Sequence, residues 1–233
     1  MGGQPASRKL RGARVASEEQ SHQETGKNPL VSFHAIDNLN GIVRAGCLHC
    51  DAQVKIGTEL LKDVGDPDVK ARRRRLPIPV GPGGVPADYV PFYLAPRSPM
   101  LYVISKGKVP QYKEGQGPLV YLVTDLGTVQ CAGLPYVFSD GNCGSSITEY
   151  FTDDGDLDRI DWEIMRAAMW ADSPEDGDRM RRRMAELLIH RSVPWDAILG
   201  LAVRTESMAS RVERVLAELS TKKTVAVKAG WYY

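Results

Sequence analysis

The sequence predicts a mixed α+β domain over residues 29–233, and three observations support this fold class. Hydrophobic residues make up 42% of the chain of 233 residues, which is enough to bury one substantial core. Strand-like and helix-like runs alternate along the chain. No internal repeat is visible, which argues against a solenoid. We therefore expect one single domain.

The first 46 residues predict a tail, a strand and a helix. Residues 1–28 are polar and nearly free of large apolar side chains, so ordering them would cost entropy that burial could not recover. We expect a disordered polar tail there. Val31 and Phe33 then alternate as in a strand, and Asp37 can cap a short helix that ends before Gly46.

Residues 76–99 are rich in proline and glycine, which predicts a long ordered loop or a loop broken by short strands. Long ordered loops in compact domains are usually functional. The stretch DYVPFYLAPRSPMLY, residues 88–102, concentrates four aromatic residues there. Because proline reduces the entropy lost on ordering, such a loop can hold side chains rigidly without regular structure.

The remaining elements also alternate. Residues 117–125 and 134–138 are rich in β-branched and aromatic residues, which predicts two strands. A helix capped by Asp158 is expected over residues 158–172, because its apolar residues recur at helical spacing. Three further elements complete the expected order: a strand over 198–205, a helix over 211–219 and a strand over 224–233.

Residues 184–190, MAELLIH, fit a helix end and a buried strand equally well by periodicity. In a strand, Glu186 would share one face with Met184 and Leu188, which would place a carboxylate among apolar neighbours. Such a carboxylate is paired, functional or at the edge of a cleft. In a helix, Glu186 would face water, and the two alternatives are about equal. A lone histidine such as His34, beside Phe33, is more often a core residue with its hydrogen bonds made than a reactive residue.

The net charge of +1 hides two basic runs and one acidic segment. Residues 70–75 read KARRRR and residues 179–183 read RMRRR, whereas residues 149–178 contain eleven acids against two arginines. A basic run alone usually forms a solvated face. Two such runs that converge on one cleft would form an anion site. The acidic charges are then expected to point away from that cleft.

Several classes of protein are disfavoured by the sequence. No apolar run approaches the length of a membrane span and no secretory signal is visible, so we expect a cytoplasmic protein without a membrane partner. The spacing Cys47-x-x-Cys50 is typical of zinc or redox sites, but Cys131 and Cys143 lie far away in another spacing. Four free thiols are therefore expected. Neither a P-loop nor a dinucleotide-binding glycine motif is present.

Several segments together resemble one known family. They are, in order, FHAIDNLNGIVRAG, VKARRRR, GGVPADYVPFYLAPRSPMLY, WADSPED, RRRMAELLIHRSVPW and the terminal WYY. This series resembles the DarT family of toxin DNA ADP-ribosyltransferases, and the match runs in order from about residue 31 to the end.

The resemblance implies an ADP-ribosyltransferase-like fold, with a split central β-sheet, peripheral helices and a cleft for NAD. It implies an enzyme that uses NAD as co-substrate, releases nicotinamide and joins ADP-ribose to a base of single-stranded DNA, with thymine favoured and guanine possible. No metal is expected. Family members are toxins that block DNA replication and are paired with a macrodomain antitoxin. We also expect a monomer.

The resemblance also points to individual residues. Glu186 matches the family's catalytic glutamate, which favours the strand for its segment, and Arg73 matches the catalytic arginine. A carboxylate at this place can stabilise the positive charge that develops on the ribose. The pKa of arginine lies above about 12, so Arg73 is expected to polarise the acceptor base or grip a phosphate rather than act as a base. Arg73 is expected to contact NAD as well.

The cofactor-binding strand of the family reads His-x-Thr and is followed by Asn-Leu, which matches Asn38 and Leu39. At the preceding places this sequence has Ser32 and His34, which is a departure from the pattern. Either a shift in register lets His34 take the role of the family histidine, or Ser32 and His34 contact NAD in another way. Tyr93 is expected at the nicotinamide end of the pocket.

The expected DNA-binding residues are Arg97 and Met100 at the rim of the pocket and Arg182 in the second basic run. At least two of Tyr89, Phe92 and Tyr102 are expected to be plain core residues. Two alternatives to DNA transfer stay open. One is a catalytically silent module that binds single-stranded nucleic acid, and the other is an enzyme that transfers ADP-ribose to water or to protein.

Overall fold

A computed structural model describes residues 29–233, and the predicted tail over residues 1–28 lies outside the described residues. Ten strands are present in this part of the chain: β1 (Leu30–Ala35), β2 (Cys47–His49), β3 (Tyr89–Tyr93), β4 (Leu119–Thr124), β5 (Tyr136–Ser139), β6 (Tyr150–Phe151), β7 (Glu186–His190), β8 (Ser192–Pro194), β9 (Gly200–Val203) and β10 (Thr224–Val227).

Seven α-helices accompany them in the same residues: α1 (Leu39–Ala45), α2 (Pro67–Arg73), α3 (Pro99–Ser105), α4 (Leu126–Cys131), α5 (Trp162–Arg166), α6 (Arg179–Arg182) and α7 (Glu206–Glu218). Short 3-10 turns join several of the elements, at Ile36–Asn38, Pro86–Asp88, Asp154–Arg159, Trp195–Ala197 and Ala229–Trp231. The mixed fold class expected from the sequence is confirmed.

Eight strands form one mostly antiparallel sheet in the order β10-β9-β4-β1-β3-β7-β5-β6. The sheet consists of two halves, because β1 pairs with β3 at one residue pair, Val31 with Tyr93. By contrast, β1 pairs with β4 over six residues and β3 pairs with β7 over five. This narrow joint between the halves corresponds to the expected split in the sheet. A short separate ladder joins β2 to β8.

Strand β3 contains Pro91, which an interior strand normally excludes because proline cannot donate to a ladder. Here Pro91 is opposite Leu188 of β7, and β1 reaches β3 only at Tyr93. The split in the sheet therefore leaves the other edge of Pro91 without a partner strand. The proline-rich segment is thus a loop broken by a strand, the second of the two alternatives, and its last residues enter α3 through the N-cap Ser98.

The expected helix over residues 158–172 is wrong. Asp161, and not Asp158, caps the short helix α5 by accepting a hydrogen bond from the backbone N–H of Ile164 at 2.9 Å. The helix ends at Arg166 because the guanidinium of Arg183 donates to the carbonyl oxygens of Ile164 and Met165. A longer helix would need those oxygens for its own ladder.

Two C-terminal boundaries also differ from the sequence expectation. Helix α7 begins at Glu206, earlier than expected, because Thr205 serves as its N-cap. Strand β10 ends at Val227, earlier than expected, and the chain then turns. Tyr232 is buried there, and its hydroxyl lies 3.1 Å from the carbonyl oxygens of both Leu119 and Ala202. The terminal aromatic residues therefore pack on the sheet instead of extending it.

Candidate active site

The strand assignment for Glu186 is confirmed, since Glu186 is the first residue of β7 and lies opposite Tyr93 of β3. Only 1% of Glu186 is exposed. Its backbone N–H donates to the hydroxyl of Ser139 on β5 at 3.1 Å, and that hydroxyl donates to the carbonyl of Gly141 at 2.8 Å. The start of β7 is thereby fixed, and the carboxylate projects into a cleft.

Arg73 is the last residue of α2, a helix whose start is well defined. The side chain of Asp66 accepts hydrogen bonds from the backbone N–H groups of Asp68 and Val69, and Pro67 occupies the first turn. Nη1 of Arg73 donates to Glu186, at 2.8 Å to Oε2 and 3.1 Å to Oε1. The two residues are 113 positions apart in the chain, so only the fold brings them together.

Arg73 stays a cation beside Glu186. Burial by itself lowers the pKa of Arg73, but the adjacent carboxylate of Glu186 outweighs burial and raises the pKa above its ordinary value. Nη2 of Arg73 is buried and has no hydrogen-bond partner among the described residues. A buried donor without a partner costs about 1–3 kcal/mol. Such a donor beside a buried carboxylate is a feature of a binding site, where a ligand supplies the missing acceptor.

An aromatic wall stands beside this pair. The rings of Phe33 and Tyr93 are stacked at 5.8 Å with an interplanar angle of 8°. Phe33 also meets Tyr121 edge to face at 5.9 Å. Burial and, after it, the charge of Glu186 raise the pKa of the Tyr93 hydroxyl, which therefore stays protonated. The wall offers a flat apolar surface next to the ion pair.

Ser32 and His34 are next to each other on one face of β1 and line the same cleft. The hydroxyl of Ser32 and Nε2 of His34 are 3.0 Å apart, within hydrogen-bond distance. Burial, reinforced by the charge of Lys70, lowers the pKa of His34 to about 4. The imidazole is therefore neutral at physiological pH.

The side chain of Asn38 binds protein backbone at the border of the cleft. Its Oδ1 accepts from the N–H groups of Leu61 and Lys62 at 2.8 and 2.9 Å, and its Nδ2 donates to the carbonyl of Lys62 at 2.8 Å. A side chain on Gly41 would overlap the backbone of Thr58 and Glu59, so α1 and this segment touch directly. Asn38 thus docks residues 58–62 as a wall of the cleft.

Two further contacts hold the same wall. Nδ1 of His49 lies 2.6 Å from the buried carboxylate of Glu59. On the other side, Nζ of Lys70 lies 2.5 Å from both Asp51 and Asp63. Because Lys70 is on α2, one turn before Arg73, these contacts connect the wall to the helix that carries Arg73.

The structure brings together most of the residues singled out from the sequence, and the cleft is lined by Ser32, His34, Asn38, Arg73, Tyr93, Met100 and Glu186. Leu39 is fully buried in the core instead. Tyr89 and Phe92 are likewise core residues, as expected, while Tyr102 is 38% exposed.

Arg97 and Arg182 lie outside the cleft lining. The guanidinium of Arg97 sits 4.7 Å above the ring of Tyr233, whose hydroxyl donates to the carbonyl of Arg97 at 2.6 Å. Arg97 also has a φ of 57°, in the left-handed region. Arg182 donates to Asp161 at 2.7 Å and is also paired with Asp176. Both arginines are thus engaged by the protein itself.

Sequence reasoning missed Ser139, which orients Glu186, and Asn142, which lines the cleft. It also missed the role of His49 and Glu59. These residues carry no local pattern that distinguishes them from ordinary polar residues. All four cysteines are free, as expected.

Among the described residues, no group of three or more histidine, cysteine or acidic side chains could hold a metal ion. Over the same residues, no helix is long and apolar enough to cross a membrane.

Comparison with known proteins gives a consistent result. A sequence model of the family described as "ssDNA thymidine ADP-ribosyltransferase, DarT" matches residues 31–233. A protein of Thermus sp. (strain 2.9), called a DNA ADP-ribosyl transferase, is 36% identical over 207 residues, which cover 88% of this chain and 96% of that protein. A protein of Escherichia coli O127:H6 with the same description is 33% identical, over 84% of this chain and 89% of that protein.

Two solved structures are also similar. The structure of Thermus sp. 2.9 DarT in complex with ADP-ribosylated ssDNA matches with a TM-score of 0.82 at 35% identity, over 88% of this chain and 96% of that chain. The same protein in complex with NAD+ matches with a TM-score of 0.79 at 35% identity, over 88% and 98%.

Proposed function

Because the chain belongs to the DarT family of ssDNA thymidine ADP-ribosyltransferases, we propose that it transfers ADP-ribose from NAD to thymine in single-stranded DNA and releases nicotinamide and a proton. The observation that carries this proposal is the buried Arg73–Glu186 pair with the unpartnered Nη2 donor of Arg73. At one cleft, a carboxylate can assist the release of nicotinamide, and a guanidinium can bind the acceptor.

NAD supplies an ADP-ribosyl group whose ribose carbon becomes electron-poor as nicotinamide leaves. Glu186 stabilises the positive charge that develops on the ribose, because its carboxylate can accept a hydrogen bond from a ribose hydroxyl and lies close to that charge. Its burial strengthens that interaction, since the local dielectric is low. The hydrogen bond from its N–H to Ser139 keeps the group in place without reorganisation.

Arg73 acts on the acceptor. Because its pKa is raised further by Glu186, it remains a cation throughout and cannot serve as a base. We assign to its Nη2 the task of donating to an oxygen of the acceptor base or of a phosphate. Its Nη1 meanwhile holds Glu186 in the orientation that faces the ribose.

The remaining cleft residues can bind NAD or position the walls of its pocket. The stacked pair of Phe33 and Tyr93 offers a flat surface for the nicotinamide ring. His34 is neutral, so it offers one donor and one acceptor without adding a charge. Asn38 acts by holding the wall over residues 58–62, and Leu39 acts by packing the helix that carries it.

On the DNA side, we propose that Arg97 and Met100 form the rim against which the acceptor base rests. Met100 lines the cleft, and Arg97, three residues earlier in the chain, lies over the ring of Tyr233. Arg182 is proposed as a weaker phosphate contact, because it must first exchange the carboxylates that it binds.

The decisive experiment uses labelled NAD and single-stranded oligonucleotides of each base composition. We expect label on thymine-containing DNA with the wild-type protein, and a loss of about 100-fold or more in Glu186→Gln, which keeps the size of the side chain. The exposed Glu213 on α7 provides a matched control, and Glu213→Gln is expected to retain full activity.

Other outcomes separate the alternative functions. Nicotinamide release without labelled DNA would favour transfer to water or to protein. DNA binding without any turnover of NAD would favour the silent binding module. Label on guanine instead of thymine would change the acceptor but keep the reaction.

The biological role is a further part of the proposal. We infer a cytoplasmic, monomeric toxin whose modification of DNA blocks replication, and whose partner is an antitoxin with a macrodomain that removes the ADP-ribose. Expression of the wild-type chain in bacteria should stop DNA synthesis, and Glu186→Gln should not. Growth that continues during wild-type expression, with active enzyme present, would contradict the toxin role.

A further inference from the structure

A second groove lies outside the cleft that contains Glu186. One side is formed by Leu76, Pro77 and Pro79, which follow α2. The other side is formed by the segment 145–151 together with Arg159. Nothing in the proposed reaction uses this groove.

The groove is connected to the cleft through one short loop. Asn142 lines the cleft, and Ser145, three residues later, lines the groove. The backbone N–H of Ser145 donates to the carbonyl of Asn142 at 2.9 Å, and that of Gly144 donates to the side chain of Asn142 at 2.8 Å. A nucleic-acid strand that leaves the cleft over this loop would therefore enter the groove directly.

Two unpaired arginines stand at this junction. Arg72 and Arg75 are exposed, and neither guanidinium has a hydrogen bond or an ion pair with any residue that the structure describes. Arg72 leans over the connecting loop, because a Cβ on Gly144 would lie 3.8 Å from its Nε. Arg75 immediately precedes Leu76, the first residue of the groove.

The groove itself has the chemistry of a single-strand binder. Ser145 and Ser146 supply hydroxyl groups, and Phe151 supplies an aromatic ring whose other side is stacked on the core residue Phe138 at 5.4 Å. The guanidinium of Arg159 lies 5.3 Å from the centre of that ring. Arg159 also pairs with Glu149 at 2.7 Å, but both side chains are more than half exposed. Such a surface pair contributes little and can exchange for a phosphate.

We propose that this groove binds the part of the single DNA strand that flanks the acceptor nucleotide, and that Arg72 and Arg75 contact its phosphates. The inference rests on the proposed function for the identity of the strand. Cations along a groove, together with an aromatic ring, bind single strands without sequence preference. The groove therefore sets the affinity for the strand, whereas the cleft chooses the base.

The test compares a short and a long oligonucleotide, of about 5 and about 20 nucleotides, each with one central thymine. Binding is measured by fluorescence anisotropy over a range of salt concentrations, for the wild type and for Arg72→Ala/Arg75→Ala. Arg204→Ala/Arg214→Ala removes the same charge from exposed sites elsewhere and serves as the control. Release of nicotinamide without DNA is measured in parallel.

We expect the double variant to lose affinity for the long oligonucleotide by about 10-fold, with a salt slope that is lower by about 1.4, since each phosphate contact on a single strand contributes about 0.7. Binding of the short oligonucleotide and release of nicotinamide should match the control. Ser146→Glu, which places a carboxylate in the groove without touching α2, should show the same dependence on length.

Three results would overturn the inference: equal binding of the long oligonucleotide by the double variant and the control, an equal loss for both lengths, or no binding of the long oligonucleotide by the wild type. Failure of the proposed function looks different, because both oligonucleotides would then bind without acquiring label. A structural role of the two arginines at the end of α2 would appear as reduced stability with unchanged DNA binding.

Discussion

The two basic runs look alike in the sequence and differ in the structure. In the run over residues 70–75, Arg73 points into the cleft, Lys70 and Arg74 bind carboxylates, and Arg72 and Arg75 remain exposed without a partner among the described residues. In the run over residues 179–183, every arginine is held by the protein: Arg179 by Met169, Arg181 by Asp140 and Asp178, Arg182 by Asp161 and Asp176, and Arg183 by Pro96, Ile164 and Met165.

The acidic segment over residues 149–178 accounts for part of this difference, since it engages Arg181 and Arg182. It supplies carboxylates to the second run, and none of its acids lines the cleft. Four of its acids are paired with arginines: Asp161, Asp176 and Asp178 with the second run, and Glu149 with Arg159. Counting charges in the sequence therefore identifies a basic run, but it does not show whether its arginines bind a ligand or other residues of the protein.

The largest expected effect tests the functional arginine of the first run. Arg73→Lys keeps the charge but removes the planar fork, so a single nitrogen replaces two separate donors, one that contacts Glu186 and one that remains free for the acceptor. We expect transfer of ADP-ribose to DNA to fall by about 100-fold or more. Circular dichroism should show an unchanged fold. Wild-type transfer by this variant would contradict the assigned role of Arg73.

The same substitution in the second run should act on stability. Arg183 is 6% exposed and donates to the carbonyls of Pro96, Ile164 and Met165. Arg183→Lys leaves some of these buried acceptors without a donor, which should lower the free energy of unfolding by about 2 kcal/mol or more. Urea denaturation measures this effect. Arg75→Lys, its counterpart in the first run, should leave the stability unchanged, and equal losses in both variants would remove the distinction between the runs.

A third experiment frees an arginine of the second run, Arg182, from two of the carboxylates that it binds. Asp161→Asn/Asp176→Asn removes the two carboxylates that bind the terminal nitrogens of Arg182 and leaves Asp178, whose carboxylate is 3.7 Å from Nε. We expect DNA affinity to rise a few-fold and the salt slope to steepen by about 0.7, as expected for one additional phosphate contact. Asp156→Asn/Asp158→Asn changes the charge of the same segment equally. If both double variants gain the same affinity, the net charge rather than the release of Arg182 is responsible.

A further prediction concerns His34, which lines the cleft beside the first run. Burial, with a contribution from Lys70, lowers the pKa of His34 from 6.5 to about 4. Between these values the unfolded state binds more protons, so the free energy of unfolding decreases as the pH falls from 6.5 towards 4. His34→Gln should weaken this decrease. Urea denaturation at pH 7 and at pH 4.5 measures it, and identical pH dependence in both proteins would contradict the shift.

Much of the fold was predictable because the signals are local. The strand over residues 117–125 and the helix that ends before Gly46 follow from residue type and from the left-handed glycine, and the structure confirms both. The expected cap at Asp37 is wrong, because Asp37 lies in the preceding 3-10 turn and pairs with Lys62 and Arg211, while Asn38 is the N-cap. The helix over residues 158–172 was wrong because Arg183, far along the chain, takes the carbonyls that a longer helix needs. Periodicity within a segment carries no information about such a distant donor.

The residues of the candidate site also divide into those that local sequence identifies and those that act only through contacts distant in the chain. Glu186 and Arg73 were found by resemblance, since each belongs to a recognisable stretch of sequence. Ser139 was not found, because its hydroxyl acts only through a hydrogen bond to the next strand of the sheet. The contact of Asn38 with NAD stays a prediction, and the structure adds that its side chain holds the backbone of residues 61 and 62.

The sequence by itself determined the family, the alternation of strands and helices, and the identity of the two charged residues at the centre. Only the tertiary structure decided which arginines remain available to a ligand. The physical reason is that a guanidinium binds whichever acceptor the fold places near it, and carboxylates and carbonyls distant in sequence reach some arginines and leave Arg72 and Arg75 exposed.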